Sequence, residues 1–280
     1  MKITIEHFTM RSRFGEETAL KMIKDAGFDG VDYSFNEGNG QAIDLSDHVK
    51  KAKAVKKILD DAGLFCSQAH APFGLKYGVK FNMQDKQFAD TVKSIEFSAV
   101  LGVKELVVHS ILMPDNSDFF DYNYDFYKSL ESYAKDCGVK IAVENLVNSV
   151  FWKPDRLSQF IRLLDSPVFC ACVDVGHAAL MGTPPEEFIA GMDKGVIKCV
   201  HIQDTDGKID RHWIPYQGVQ NWDNIIRALA EYGYCGSLDM EIVHAYDNLP
   251  DELCFPALKY TADVGKFLAD KFETYKAEKI

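Results

Sequence analysis

Apolar and polar positions along the chain alternate between two periods. Stretches with the three-to-four-residue spacing of an amphipathic helix, such as KKAKAVKKILDDAG, are followed by short, mostly apolar runs of strand length. Glycine stands at most of these junctions: Gly27 before FDGVDYSF, Gly63 before LFCSQAH, Gly102 before VKELVVHS, Gly138 before VKIAVENL and Gly233 before YCGSLDMEIV. A glycine just past a helix end suits the left-handed backbone that closes the helix, so each marks a helix-to-strand turn. The pattern predicts eight strands, near 2–8, 30–35, 64–70, 105–110, 140–146, 169–175, 197–203 and 236–243. Helices are expected near 16–26, 46–62, 84–101, 121–137, 154–165, 184–191, 221–232 and 257–276. Strict alternation of this count predicts an α/β fold, one (β/α)8 TIM barrel over residues 1–280. An open doubly wound sheet would call for a glycine-rich phosphate turn after the first strand. HFTMRSRFG offers none, and Gly38-Asn39-Gly40 follows the second strand, where it reads as a loop turn.

Four of the predicted strands end on a polar residue: Glu144 in IAVENL, Asp174 in CACVDVGH, His201 in IKCVHIQD and Glu241 in LDMEIV. Side chains alternate across a strand, so Ala142/Glu144, Cys172/Asp174, Cys199/His201 and Asp239/Glu241 share one face, and Val143, Val173, Val200 and Met240 take the other. Three carboxylates and one imidazole form an oxygen-and-nitrogen donor set. It suits one divalent ion such as Mn, Mg, Co or Zn. Any one buried carboxylate would be read as a satisfied core group; four at equivalent strand ends outweigh that reading.

Active sites of such barrels lie at the carboxyl ends of the strands. His70 and His109 end the third and fourth strands there, Asn145 follows Glu144, and His177 and Asp204 lie three residues after Asp174 and His201. The next loop adds Asp210, Arg211 and His212, and of the eight histidines only His48 lies clearly inside a helical stretch. Tyr33, Phe35, Phe73, Phe119, Phe120, Trp152, Trp213, Tyr216 and Tyr246 are candidates for the faces of a sugar, although each alone is more simply packing. Cations able to meet a phosphate are confined to Lys76, Lys80, Lys153, Lys208 and Arg211, so an unphosphorylated sugar is as compatible as a sugar phosphate.

Composition narrows the function classes. The net charge is −11, and no cluster of Lys and Arg is present to neutralise a polyanion, so no nucleic-acid partner is expected. The loops PDNSDFFDYNYD and HAYDNLPDEL would repel phosphates. No apolar run is long enough for a membrane span, no export signal is evident, and the seven scattered cysteines read as reduced core residues. A cytoplasmic protein acting on a small carbohydrate is the expectation, and a homo-oligomer stays open.

HAPFG, VVHS, ENL, VDVGHAALMG, HIQDTDGKIDRH and MEI, in this order and spacing, resemble the xylose-isomerase-like TIM-barrel superfamily across essentially the whole chain. That superfamily contains sugar and sugar-phosphate isomerases and epimerases, hydroxypyruvate isomerase, inosose dehydratase and the endonuclease IV type of AP endonuclease. By resemblance to its ketose 3-epimerases, Glu144, Asp174, His201 and Glu241 would hold one divalent ion, and His177 and Arg211 would contact substrate; His70 and His109, at the ends of neighbouring strands, are expected to bind substrate with them. By resemblance to endonuclease IV, the set extended by His70, His109, His177, Asp210 and His212 would hold up to three Zn. WIPYQG departs from the nuclease pattern at Pro215, Tyr216 and Gln217. The resemblance therefore implies a metal-dependent sugar isomerase or epimerase, with Glu144 and Glu241 moving a proton through a metal-bound enediolate. Asn145 and Asp204 are expected to orient the ligands. Alternatives are a zinc AP endonuclease and a lyase or dehydratase on a keto-sugar or cyclitol; a binding-only barrel fits least, because no ligand position is lost.

Overall fold

The structure, a computed structural model, describes residues 1–37, 41–73, 78–79, 81–112 and 119–278. Gly38-Asn39-Gly40, Lys76, Lys80, most of the loop beginning at Pro114 and the side chain of Phe119 lie outside them. The strands are β1 (Ile3–Glu6), β2 (Gly30–Ser34), β3 (Phe65–His70), β4 (Glu105–Val108), β5 (Lys140–Glu144), β6 (Phe169–Asp174), β7 (Ile197–Ile202) and β8 (Leu238–Met240). They pair in parallel in sequence order and close, β8 against β1, into the expected (β/α)8 barrel. The helices are α1 (Phe8–Phe14), α2 (Glu16–Ala26), α3 (His48–Ala62), α4 (Lys86–Leu101), α5 (Phe119–Cys137), α6 (Pro154–Leu164), α7 (Val175–Leu180), α8 (Pro185–Gly191), α9 (Trp222–Tyr232) and α10 (Asp251–Glu278). None is long and apolar enough to cross a membrane among the described residues.

Glycine ends α2 and α3 at φ 106° and 65°, as the junction pattern predicts, whereas Asp165 takes the same left-handed role after α6 at φ 43°. Several elements differ from expectation; β8, expected over 236–243, is only Leu238–Met240. The predicted first strand, 2–8, stops at Glu6, because the chain turns into α1 at Phe8. α7 occupies VGHAAL, which is too short to display a helical period. α10 begins at Asp251 instead of 257, with Pro256 inside its first turns; proline removes one backbone donor there without ending the helix.

The barrel interior divides into two halves. Val107, Ala142, Cys170, Cys172 and Cys199 form a small apolar cluster inside, while Val143, Val173, Val200 and Met240 face the helices in the main core. Across from that cluster, Thr4, Asp32, Gln68 and Asp239 are buried polar residues.

A candidate metal centre at the carboxyl ends of the strands

Glu144 and Asp174 are the last residues of β5 and β6, and His201 is the penultimate residue of β7. Glu241 follows β8 directly, and its N–H donates to the Ile202 carbonyl at 3.1 Å, which continues the ladder by one step. Strand parity turns all four inward. His201 Nδ1 lies 3.4 Å from Glu144 Oε1, 3.3 Å from Glu241 Oε2 and 3.9 Å from Asp174 Oδ2. His177 Nδ1 approaches the same centre, 3.2 Å from Glu144 Oε1 and 3.6 Å from Asp174 Oδ2.

Several contacts fix Asp174. Its side chain accepts from the His177 N–H at 2.8 Å, capping α7 and thereby placing the His177 ring. Asn145 clamps its backbone, donating from Nδ2 to the Asp174 carbonyl at 2.9 Å and accepting from its N–H at 2.7 Å. Gln203 Nε2 lies 3.3 Å from Asp174 Oδ1 and donates to Asp210 Oδ1 at 2.9 Å. Asp204, expected to orient ligands, does not reach them. Its carboxylate accepts from the N–H groups of Thr205 and Tyr216 and from Trp222 Nε1, so it folds the loop after β7, and the orienting amide is its neighbour Gln203.

Two histidine groups flank the centre. His70 Nε2 and His109 Nε2 stand 3.6 and 3.0 Å from Glu144 Oε2. His177 Nε2 and His212 Nε2 stand 3.1 and 3.2 Å from Asp210 Oδ2. His212 holds a left-handed φ of 47°, a conformation costly for a residue with a Cβ, and from it Nδ1 reaches within 3.4 Å of Glu241 Oε2.

Buried polar atoms in folded proteins nearly always have partners. Here His201 Nδ1, Glu144 Oε2, Glu241 Oε2, His70 Nε2 and His177 Nδ1 are buried close to one another or to other site atoms, yet make no hydrogen bond. That many orphaned donor atoms in one place fit a cation that they would share. His70–His109–Glu144, His177–Asp210–His212, Glu144–Asp174–His177 and Asp174–His201–Glu241 each bring one ligand atom per residue within 4.8 Å of the others. Burial alone would raise the Glu144 carboxyl, but the His109 and His201 imidazoles overcome it and hold it well below the usual range. Burial pushes Glu241 up to about 7, against the pull of His201 and His212.

A cavity of about 460 Å3 opens over the centre, within the usual range for small-molecule sites. Phe8, Phe73, Leu112, Leu146, Val147 and Val243 supply its apolar walls. Among the described residues no lysine or arginine lines it. Arg211, expected to contact substrate, instead pairs with Asp206 at 3.0 Å and lies over the Trp213 ring. Of the candidate aromatics, Phe73 reaches the cavity, whereas Tyr33, Phe35 and Tyr246 are core residues. Lys153 stacks on Trp152.

Glu6, Ser34, Glu37 and His244 line the cavity without having been singled out in the sequence. Glu6 was legible: it ends ITIE as Glu144 ends IAVE. Its Oε1 accepts from the Phe8 N–H, its Oε2 is buried without a partner, and burial pushes its pKa up to about 8.

A family model described as a xylose isomerase-like TIM barrel matches residues 20–268. The uncharacterised protein MJ1311 of Methanocaldococcus jannaschii is 29% identical over 187 residues, which are 61% of this chain and 62% of that protein, so this match spans less than two thirds of the relative. L-ribulose-5-phosphate 3-epimerase UlaE of Salmonella typhi is 23% identical over 80% of both chains. A solved D-tagatose 3-epimerase-like protein superposes over the whole of both chains with a TM-score of 0.78 at 22% identity, a likeness of fold.

Proposed function

The chain belongs to the xylose isomerase-like TIM barrel family, and from that membership we propose that it is a divalent-metal-dependent ketose epimerase or isomerase. One observation carries the reading: buried His201 Nδ1, which makes no hydrogen bond, stands 3.3 Å from Glu241 Oε2 and 3.4 Å from Glu144 Oε1, two carboxylates that line a sugar-sized cavity. Glu144, Asp174, His201 and Glu241 would hold the ion. When bound, it supplies Lewis-acid stabilisation of negative charge on adjacent sugar oxygens.

Proton movement falls to the chain. Glu144 and Glu241 come from β5 and the end of β8, with β6 and β7 between them, and so flank the cavity from two directions. One takes the proton from the carbon beside the keto group, and the other returns a proton to the opposite face; a single carboxylate doing both gives isomerisation. His177, held by Asp174 and Asp210, presents its ring to the reacting oxygens. The absence of cationic lining among the described residues favours a ketose without phosphate.

The flanking histidine groups keep a zinc nuclease as the second reading, since all nine positions of that pattern are present. The acidic balance and the absence of lysine and arginine from the lining among the described residues favour the sugar. Screening free ketoses, ketose phosphates and keto-glycosides with Mn, Mg, Co and Zn, read by NMR, tests the proposal. Turnover of no member of the panel by ion-loaded protein would remove it.

A further inference from the structure

One layer below the metal centre the barrel is polar where such barrels pack branched aliphatic side chains. Asp32 and Asp239 are 1% and 0% exposed there, on β2 and β8. Burying a carboxylate is costly unless something pairs with it. Thr4 Oγ1 donates to Asp239 Oδ1 at 2.6 Å, and Gln68 Nε2 donates to Asp32 Oδ2 at 2.9 Å. The same Oδ2 lies 3.6 Å from His201 Nε2. The His201 ring thus spans two layers: Nδ1 faces Glu144, Asp174 and Glu241 above, and Nε2 faces the buried pair below, with Asp32 Oδ2 at 3.6 Å and Asp239 beside it.

The two nitrogens of a neutral imidazole carry one proton between them. Nδ1 can serve an ion only if that proton sits on Nε2, and an ionised carboxylate, an acceptor only, is the group that keeps it there.

We propose that Asp32 is the positioning residue of the metal centre: it accepts the Nε2 proton of His201, leaves Nδ1 bare for the ion, and is itself held by Gln68. This rests on the metal-centre reading of the four strand ends. Asp32 cannot ligate the same ion, because the ring stands between them. Asp239 shares the layer and the burial and also lies within 4.8 Å of Asp32 and His201, but Thr4 holds its Oδ1, and Asp32 is the carboxylate that stands 3.6 Å from Nε2. It serves as the control.

The test uses direct zinc binding by chelator competition, alongside urea unfolding of metal-free protein. D32N should weaken zinc by about 10–100-fold, the scale on which such outer partners act, with metal-free stability unchanged or higher. D239N should stay within about threefold of wild type, and Q68L should fall between. Zinc affinity of D32N equal to wild type, or D239N losing as much as D32N, overturns the proposal. If D32N fails to fold, Q68L and the wild type still decide. In cadmium-loaded wild type labelled with 15N-histidine, His201 should show cadmium coupling at Nδ1 and a retained Nε2 proton; coupling at Nε2 overturns it. Wild type that binds no divalent ion would instead sink the metal-centre reading, and this inference with it.

Discussion

Gly176 and Gln203 are fitted to one another: a Cβ at position 176 would lie 2.3 Å from Gln203 Cδ and 2.4 Å from its Nε2. Gly176 follows Asp174 by two residues and Gln203 follows His201 by two, so this contact locks the ends of β6 and β7 together. Only a bare backbone leaves room for the amide that reaches Asp174 and Asp210.

Replacing Gly176 by Ala sets two effects against each other. Helix propensity gains about 1 kcal/mol, while overpacking a buried, hydrogen-bonded amide costs about 1–3 kcal/mol. A net loss of about 1 kcal/mol is expected. Q203A removes the obstructing amide, so in the double variant G176A should cost nothing further. Thermal unfolding of all four proteins checks this, and strictly additive losses would contradict the steric coupling.

Glu6 makes the stability of the metal-free protein depend on pH. Its ordinary pKa is 4.5, and burial pushes the folded value up to about 8. The folded protein therefore keeps a proton that the unfolded chain releases between those values. The stability this contributes is full below about pH 4.5 and is lost as pH rises through about 8, with a slope near 1.4 kcal/mol per pH unit. Glu6→Gln removes that slope. Urea unfolding in the presence of EDTA at pH 5, 6.5 and 8 should show the variant gaining on wild type by up to a few kcal/mol. A pH-independent difference would rule out the buried neutral carboxyl.

Metal count separates the two functional readings. Elemental analysis should find one tightly held divalent ion per chain, lost in Glu241→Gln and kept in His212→Ala. Three tightly held zinc ions per chain would favour the nuclease, and efficient cleavage of abasic-site DNA by that form would decide for it.

The barrel was legible because strand parity and glycine junctions are local signals. Glu144, Asp174, His201 and Glu241 each follow two or more inward- and outward-alternating residues, so period two alone turned them to one side. Glu6 obeys the same rule at the end of ITIE. What stayed hidden depended on side chains folding back across a loop. Asp204 and Gln203 are adjacent, and nothing in IQDTDG says which will turn toward Asp174; the answer came from Trp222 and Tyr216, which claim Asp204. Arg211 was drawn off by Asp206 and Trp213, partners within its own loop. Asp32 sits in the middle of GVDYS, where a buried carboxylate has meaning only once His201 is known to lie across the barrel from it.

The chemistry itself is tested by where hydrogen comes from. A proton held on Glu144 or Glu241 beside the reacting carbon belongs to an ionisable group and exchanges with solvent before it is returned. Epimerisation by two carboxylates delivers a proton from the group that did not abstract it, so product formed in D2O should carry close to one deuterium at the inverted carbon. Isomerisation by one carboxylate should show partial labelling, because the same group can hand back the original proton. A hydride shift moves hydrogen directly between carbons and brings in no label. NMR of the product after turnover in D2O distinguishes the three, and the absence of deuterium at carbon would take the proton-transfer role from Glu144 and Glu241 while leaving their role as ligands intact.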